Sequence, residues 1–498
     1  MSETSDPGTP TLQAFLTQTA RDIFAHTLAE CSVERAFARK VTVEGSELRF
    51  DETVYDMEQY DRVRVVAVGK AATPMLTALL DRLPVRKGCD LAGLLASPEP
   101  PAALPPGFVY FASGHPVPNQ DSLETARAAR ELLATLPREL ENADRTLCIF
   151  LISGGASAMM EEPLDATIPF EDVIALYRAL VHCGASIAEI NCVRKHFSAV
   201  KGGRLALAAP RGTALLAFFV SDVPRLQLTE LGSGPVLPDP TTVEQCRAVL
   251  EHYELLEQIP ASVQRYFAQR SLPETPKPGS FPLGFCTLLD SNDLIVAAQA
   301  RAEQLGFRVG IDNTCDDWEY LPAARYLLER LQALRLYTEP TEEDDTAKKS
   351  DPLPPKPVCL LSAGEVTVRV QEPAGVGGRN QQFALYAATQ IKPGMAPLAV
   401  LSAGSDGVDG NSAAAGAIID AETLERAAAM GLDAEAALDR FDTNPLLTAL
   451  DATLVTGPTG NNLRDLRILL TTAQIVAAPK PKAKLEPARR GRKARKSI

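Results

Sequence analysis

The feature that most constrains the fold of this 498-residue chain is a repeated unit: a continuous apolar run, a turn containing glycine or aspartate, and a helical pattern. Continuous β-branched runs are typical of strands buried on both faces, which occur in parallel sheets covered by helices. The runs lie at 63–69, 147–160, 215–223, 357–368 and 398–410. They predict an α/β fold with parallel sheets flanked by helices, and they make the loops at the carboxyl ends of these strands the candidate site.

Two polar segments interrupt this pattern. Residues 338–357 are acidic, then basic, then proline-rich, and residues 271–282 are similar but shorter. Such segments bury little apolar surface, so we interpret them as exposed linkers or insertions. The predicted organisation is an N-terminal α/β part at 10–270, a connecting α/β segment at 283–337, a disordered linker or insertion at 338–357, a C-terminal α/β part at 358–478 and a basic, disordered tail at 479–498.

Composition favours a cytoplasmic protein over a membrane protein or a nucleic-acid-binding protein. The apolar runs are too short to cross a bilayer, and the first residues are polar and acidic, unlike a secretory or transit signal. The net charge of −13 disfavours nucleic acid as a partner of the body of the chain. The nine cysteines form no CxxC pair or zinc-type cluster, so we expect them to be reduced.

Several common catalytic motifs are missing from the sequence. It contains no GxxxxGK[ST] phosphate loop and no GxGxxG after a strand. It also lacks the GxSxG nucleophile elbow and the HExxH zinc motif. The sequence therefore does not support a P-loop nucleoside triphosphatase, a standard dinucleotide-binding fold, an α/β-hydrolase or a zincin.

The turn from Ser153 through Gly154, Gly155 and Ala156 to Ser157 closes one apolar run and opens a helix. Consecutive glycines let backbone N–H groups approach an anion, and the helix N-terminus adds partial positive charge. A tight strand–helix turn capped by Ser157 would explain the same pattern. The turn is therefore a candidate phosphate or carboxylate site on local grounds.

Two cations follow apolar runs or glycines in different halves of the chain. Lys70 stands in the first strand–helix turn, where it is either a phosphoryl-binding charge or a solvated surface lysine. Arg379 follows two glycines and precedes Asn380 and Gln381. Its planar fork suits a phosphate or a carboxylate, and the alternative is a loop arginine paired with a nearby acid.

Two aspartates stand just after apolar runs, Asp222 in SDV and Asp406 in SDGVDG. A carboxylate there is able to hold Mg²⁺ or to accept a substrate hydroxyl proton, or it simply forms an Asx turn or helix cap. Further candidates are Gly234 and the loop containing Gly457, Thr459, Gly460 and Asn461. His115 is a candidate in SGHPVPN, and Lys201 belongs to a basic cluster with Arg194, Lys195 and His196.

Eight motifs in this order resemble the glycerate 2-kinase family, whose C-terminal part is the MOFRL domain and some of whose members are called hydroxypyruvate reductase. The similarity runs from about residue 12 to 475, outside the linker and the tail. The motifs are SGHPVPNQDS (113–122), SGGASAMMEEP (153–163), CVRKHFSAVKGGRLA (192–206), SDVP (221–224), GSGPVLPDPTT (232–242), GGRNQQFAL (377–385), SAGSDGVDGNSAAAGA (402–417) and VTGPTGNNLRDLRILL (455–470).

The resemblance implies two α/β domains, a Rossmann-like kinase domain and a MOFRL domain, with the active site in the cleft between them. It implies ATP-dependent phosphorylation of D-glycerate to 2-phosphoglycerate, with Mg²⁺ as cofactor. The family's proposed catalytic lysine and arginine fall on Lys70 and Arg379. The other candidate site residues would bind substrate or nucleotide, and Asp222 and Asp406 would hold the metal. A homodimer and the regiochemistry of transfer stay open.

The sequence departs from the family at a few positions, including Arg225 and Leu226, where a Gly-Asp pair is common. Three alternatives also stay open: an NAD(P)H-dependent hydroxypyruvate reductase, a glycerate 3-kinase, and a ligand sensor whose basic tail contacts nucleic acid. The missing GxGxxG opposes the first of these.

Overall fold

The protein is described from a computed structural model, which covers residues 11–139, 145–338, 356–370, 374–392 and 395–476. Most of the predicted linker (339–355) and the whole basic tail (479–498) lie outside the described residues. Among the helices in these ranges, none combines the length and the apolar composition needed to cross a bilayer.

The first large sheet has six strands, all parallel, in the order β6-β5-β4-β7-β8-β9. Three of the five predicted apolar runs form the adjacent strands β4, β7 and β8 of this sheet, and β7 is buried along its whole length. The chain order reverses between β4 and β7, which makes the crevice at their carboxyl ends the expected ligand position. The strands are β4 (Arg62–Val68), β5 (Asp90–Ser97), β6 (Phe108–Ala112), β7 (Thr146–Ser153), β8 (Ala214–Val220) and β9 (Gly284–Leu289).

Helices cover both faces of this sheet, as the continuous apolar strands require. Several begin at side-chain caps. For example, Asn119 accepts from the Ser122 N–H, and the Ser122 hydroxyl in turn accepts from the Asn119 N–H. The helices of this half are α2 (Val33–Lys40), α3 (Ala72–Leu80), α4 (Gln120–Ala134), α5 (Ala156–Met159), α6 (Phe170–His182), α7 (Ile187–Phe197), α8 (Arg204–Leu207), α9 (Val243–His252) and α10 (Ala261–Phe267).

The second large sheet is mixed, which corrects the prediction of largely parallel sheets for this half of the chain. Its order is β10-β12-β16-β13-β14-β15, and only β10 and β12 pair in parallel. An antiparallel strand, β16, separates the two predicted runs β12 and β13, so these still point the same way. The strands are β10 (Arg308–Ile311), β12 (Val358–Ala363), β13 (Leu398–Gly404), β14 (Gly416–Asp420), β15 (Thr453–Leu454) and β16 (Asp465–Thr471).

The first helix packs on the second sheet although it precedes the first sheet in the chain. The Gln13 side chain donates to the Leu398 carbonyl (2.7 Å) and accepts from the Leu398 N–H (3.3 Å). The predicted connecting segment, 283–337, is divided, because β9 completes the first sheet and β10 joins the second. The helices of this half are α1 (Leu12–Glu30), α11 (Ser291–Gln304), α12 (Tyr320–Arg335), α13 (Arg379–Gln390), α14 (Thr423–Ala429), α15 (Ala434–Asp439) and α16 (Thr443–Ala449).

One continuous apolar cluster joins the two sheets. It contains Ile149 and Phe218 from the first sheet, Leu401 and Ile468 from the second, and Ile23 of α1 between them. Burial of this layer is the main attraction between the halves, because the hydrophobic effect scales with the apolar area removed from water. The carboxyl ends of both sets of strands are thereby held on either side of one cleft.

The remaining elements are small. A three-stranded antiparallel sheet consists of β1 (Thr42–Glu44), β2 (Glu47–Phe50) and β3 (Thr53–Asp56), and β11 (Leu336–Thr338) pairs with β17 (Gln474–Val476). Short 3₁₀ helices span Met57–Gln59, Arg225–Ser233 and Leu255–Glu257.

Candidate active site

The loops after β4 and β7 are locked together at the point where the strand order reverses. The Lys70 N–H donates to the Gly154 carbonyl (2.9 Å), and the Ala71 N–H donates to Ser153 Oγ (2.9 Å). Gly69 has φ of 128°, and a Cβ there would lie 2.2 Å from Ser153 Oγ. Ser153 therefore fixes the loop that presents Lys70, and only glycine fits at position 69.

His115 lies against the other side of the β7 loop. A Cβ on Gly155, which has φ of 87°, would come 2.9 Å from His115 Cδ2. Burial, together with the nearby Lys70 ammonium, lowers the pKa of His115 to about 4. The imidazole is therefore neutral at physiological pH and is able to donate or accept a hydrogen bond without adding charge.

The Asp222 carboxylate packs directly on the β7 loop. A Cβ on Gly154 would lie 2.2 Å from Asp222 Oδ2, so this glycine makes room for the carboxylate. Burial raises the pKa of Asp222; Lys70 opposes the increase, and the Asp406 carboxylate from the other half of the chain adds to it. Asp222 and Asp406 were both predicted from strand ends, and the charge of Asp406 thus contributes to the environment of Asp222.

Arg379, the first residue of α13, is held by two carboxylates. Its Nε and Nη2 donate to Asp465 Oδ2 (2.7 Å) and Oδ1 (3.0 Å), and its Nη1 donates to Glu365 Oε2 (3.0 Å). Nη2 also lies 2.8 Å from Glu365 Oε1. The pairing that the sequence left as an alternative for this arginine is present, and both acids stand at the end of a strand in the second sheet.

The two acids differ in burial. The Asp465 side chain is 1% exposed and that of Glu365 is 28% exposed. Burial alone would lower the pKa of Arg379, but the Asp465 and Glu365 carboxylates raise it above its ordinary value. Burial raises the pKa of Glu365, and Arg379 opposes that increase. Asp465 therefore anchors the guanidinium, and Glu365 is the more exposed partner, which a ligand anion is able to displace from Arg379.

Asn380 and Gln381 point away from the cleft, into the protein. Both are buried, and their N–H groups donate to the Asp409 carboxylate (3.0 and 2.9 Å), as do their side-chain amides. Burial raises the pKa of Asp409 to about 6, although these hydrogen bonds oppose the increase. The two residues predicted to bind substrate instead secure the N-terminus of α13 through Asp409.

The Gly457–Asn461 loop lies beside the Asp406 loop. The Thr459 N–H donates to the Asp406 carbonyl (3.2 Å) and the Thr459 hydroxyl to the Ser405 carbonyl (2.6 Å). Asn461 is buried, and its side chain donates to the Cys31 carbonyl (2.7 Å). No atom lies within 4 Å of the position that a Cβ would take on Gly457 or Gly460, so the backbone of both glycines has open space on that side.

Three further predicted residues have internal partners. Lys201 is buried, and its Nζ donates to Glu161 Oε2 (2.6 Å) and the Met160 carbonyl (3.0 Å). Gly234 is a buried turn residue with φ of 62°. Ser157 Oγ lies 2.7 Å from Ser233 Oγ. The structure does not bring Lys201 to the cleft, which leaves its predicted ligand role without support.

Lys70 and Arg379 line one cavity of about 900 Å³, within the size range typical of ligand sites. The other charged residues in its wall are Glu365, Asp406 and Asp409. The wall also contains four glycines, Gly375, Gly377, Gly378 and Gly410. The cleft thus brings together the two cations predicted from separate halves of the chain, together with three carboxylates.

Sequence reasoning did not single out Glu365, Asp465 or Asn462. Glu365 follows β12 as Asp406 follows β13, so the same strand-end rule would have found it. Asp465 is the first residue of an antiparallel strand, and no such signal applies to it. Within the described residues, no group of three or more His, Cys, Asp or Glu side chains is arranged to hold a metal ion.

Comparisons with known proteins give consistent findings. A family model described as a domain of unknown function, DUF4147, matches residues 19–268, and the MOFRL family model matches residues 358–465. A D-glycerate 2-kinase from Thermotoga maritima is 36% identical over 82% of this chain and 90% of its own. A glycerate 2-kinase from Pyrococcus horikoshii is 33% identical over 87% of this chain and 91% of its own.

One further relative and one solved structure bear on the same question. An Agrobacterium vitis protein that is 32% identical over 82% of this chain, and 87% of its own, carries a hydroxypyruvate reductase name. The crystal structure of a glycerate kinase from Thermotoga maritima superposes with a TM-score of 0.74 and 32% identity. That superposition covers 92% of this chain and all of the other.

Proposed function

This chain belongs to the family of glycerate 2-kinases that carry a MOFRL domain, and we propose that it transfers the γ-phosphoryl group of ATP to the 2-hydroxyl of D-glycerate. The observation that carries the proposal is the meeting of Lys70 and Arg379 in one cavity at the carboxyl ends of two sheets. In the transfer, the substrate oxygen bonds to the γ-phosphorus, the bond to the ADP oxygen breaks, and the hydroxyl proton leaves to a base.

Phosphoryl transfer depends mainly on positioning and on charge stabilisation. Lys70 stands on a loop fixed by Ser153, and its ammonium has no carboxylate within ion-pair distance among the described residues. Arg379 is oriented by Asp465. We propose that Lys70 stabilises the negative charge that develops on the transferred phosphoryl group. Arg379 contacts the same phosphoryl group once that group displaces Glu365 from the guanidinium.

We propose that carboxylates at the cleft hold a divalent cation. The cavity wall carries three carboxylates and two cations, so a nucleotide polyphosphate would need a further cation to offset the excess of negative charge. The Asp406 carboxylate adds to the raised pKa of Asp222, and a cation near both carboxylates would offset that contribution. Mg²⁺ commonly binds through one or two carboxylates and the substrate phosphates. We assign these two aspartates to Mg²⁺, which would neutralise phosphate charge when bound.

The remaining candidates divide between backbone and side-chain roles. The Ser153–Ser157 turn and the backbone at Gly457 and Gly460 are proposed to contact nucleotide or substrate oxygens. His115, neutral and beside Lys70, is proposed as a hydrogen-bonding group for the substrate. The proposed location is the cytoplasm.

The decisive test supplies the purified full chain with ATP, Mg²⁺ and D-glycerate, and measures ADP formation. ³¹P NMR then identifies the product, and we expect phosphate on the secondary oxygen. Phosphate on the terminal carbon would overturn the 2-kinase assignment, and no ADP above background from folded protein would reject the kinase function.

Hydroxypyruvate reduction is the second candidate. The strand order of the first sheet is that of dinucleotide-binding folds, and one relative bears the reductase name. Against it, the turn after β4 reads Gly69-Lys70-Ala71-Ala72, without the glycine spacing that lets a pyrophosphate approach. Oxidation of NADPH or NADH with hydroxypyruvate, dependent on the protein, would favour this function.

A further inference from the structure

The basic motif at 193–204 carries one arginine that differs from the other cations around it. Lys195 is buried, and its Nζ lies 2.8 Å from Glu230 Oε1 and 3.4 Å from Asp239 Oδ1. Lys201 is buried against Glu161. These two lysines are neutralised by internal acids, so neither is available to an incoming anion.

The other members of the motif also have internal partners. His196 is buried, and its Nδ1 lies 2.8 Å from the Cys192 carbonyl. Arg204 donates through Nη2 to the Pro273 carbonyl (3.0 Å). Burial lowers the pKa of His196, so it does not add a cation at neutral pH.

Arg194 alone is left without such a partner. From 191 to 203 every residue is buried except this one. In the part of the chain that the structure describes, its guanidinium makes no hydrogen bond or ion pair, and its Nε is buried and unpaired. Its one described contact is a stack on the Tyr177 ring, 4.3 Å from the centroid. An unpaired buried N–H is costly, which a ligand oxygen would relieve.

The position of Arg194 connects it to the proposed site. The Tyr177 hydroxyl donates to Glu161 Oε2 and also lies 3.4 Å from the Ser157 carbonyl oxygen. Ser157 closes the turn that follows β7. Ser157 Oγ in turn contacts Ser233, which donates to Asn191 Oδ1 (2.8 Å) on the same helix as Arg194. The stacked arginine is therefore tied to the candidate anion-binding turn by two routes.

A small hydroxy acid needs a group for its carboxylate as well as groups for the phosphoryl transfer. Arg379 is anchored by Asp465 and is assigned above to the transferred phosphoryl group once Glu365 is displaced, so a separate cation is needed for the carboxylate. We propose that Arg194 binds the carboxylate of D-glycerate, with Tyr177 holding the guanidinium plane in place. This proposal rests on the proposed kinase function, and it assigns Arg194 to substrate specificity.

The test compares Arg194→Met and Arg194→Lys with wild type, and uses Arg178→Met as a matched control, because Arg178 is an exposed arginine on the helix that carries Tyr177. For Arg194→Met the KM for D-glycerate should rise about 10- to 100-fold while the KM for ATP stays within twofold. The KM of Arg194→Lys for D-glycerate should fall between those of wild type and Arg194→Met. D-Glyceramide, which lacks the carboxylate charge, should be used equally poorly by wild type and Arg194→Met.

Binding of D-glycerate without ATP, followed by calorimetry, gives a readout that does not depend on turnover. The proposal is supported if Arg194→Met binds D-glycerate more weakly than wild type by the same factor by which its KM for D-glycerate rises. An unchanged D-glycerate KM in the folded variant, or equal rises in both KM values, overturns it. A wild-type chain without kinase activity rejects the kinase function instead, and the two failures are therefore distinct.

Discussion

The two carboxylates that hold Arg379 should respond very differently to loss of charge. Asp465→Asn removes the charge of an almost fully buried partner, whereas Glu365→Gln removes that of a partner that reaches solvent. Removing one partner of a buried ion pair costs about 3–5 kcal/mol, and exposed pairs contribute about 0–1 kcal/mol. Because Arg379 keeps Glu365 in the first variant, we expect a loss near the lower end, about 3 kcal/mol.

The assay is urea unfolding followed by fluorescence of Trp318, the single tryptophan, which lies in the second half of the chain. Asp465→Asn should lower the free energy of unfolding by that amount and lower kcat, because Arg379 loses its fixed orientation. Glu365→Gln should leave stability within about 1 kcal/mol of wild type. Equal losses in the two variants would refute the view that Asp465 is the anchor and Glu365 the displaceable partner.

Three further predictions follow from individual side chains. His115, whose pKa is lowered to about 4, should show no NMR titration between pH 5.5 and 8, and a midpoint near 6.5 would contradict its burial beside Lys70. The raised pKa of Asp409, about 6, means that the folded chain holds a proton that the unfolded chain has lost. The free energy of unfolding of wild type, relative to Asp409→Asn, should therefore fall by about 3 kcal/mol from below pH 4 to above pH 6. Asp222→Asn should raise the Mg²⁺ concentration for half-maximal activity at least about tenfold, and an unchanged value would remove Asp222 from the metal site.

The local pattern predicted the strands well, because continuous apolar runs leave few alternatives. All five runs are strands, and the loops that follow β4 and β13 do place Lys70 and Asp406 at the cleft. The direction of β16 was not predictable in the same way, because a fully apolar run looks alike in either orientation. For this reason the sequence did not predict that the second sheet is mixed.

Partners distant in sequence account for most of what was missed at the site. Asp465 is 86 positions from Arg379, and nothing local to either residue indicates the pair. Lys201 stands next to glycines in a segment whose composition is typical of an exposed loop. It is nevertheless buried, and the Glu161 carboxylate compensates the charge of its ammonium group. Asn380 has the donors expected of a ligand-binding group, yet Asp409 already accepts them. Side-chain type predicted the chemistry of these positions, and the tertiary fold decided whether solvent reaches them.

The most direct test of the central claim is the turnover number of Lys70→Met with ATP and D-glycerate. Lys70 is the cation of the cavity that has no acid paired to it in the described structure, so its loss should remove charge stabilisation without disturbing a buried pair. We predict a fall in kcat of about 10²- to 10³-fold, with the free energy of unfolding unchanged within about 1 kcal/mol. A wild-type kcat in this variant would contradict the assignment of the cleft as the site of phosphoryl transfer.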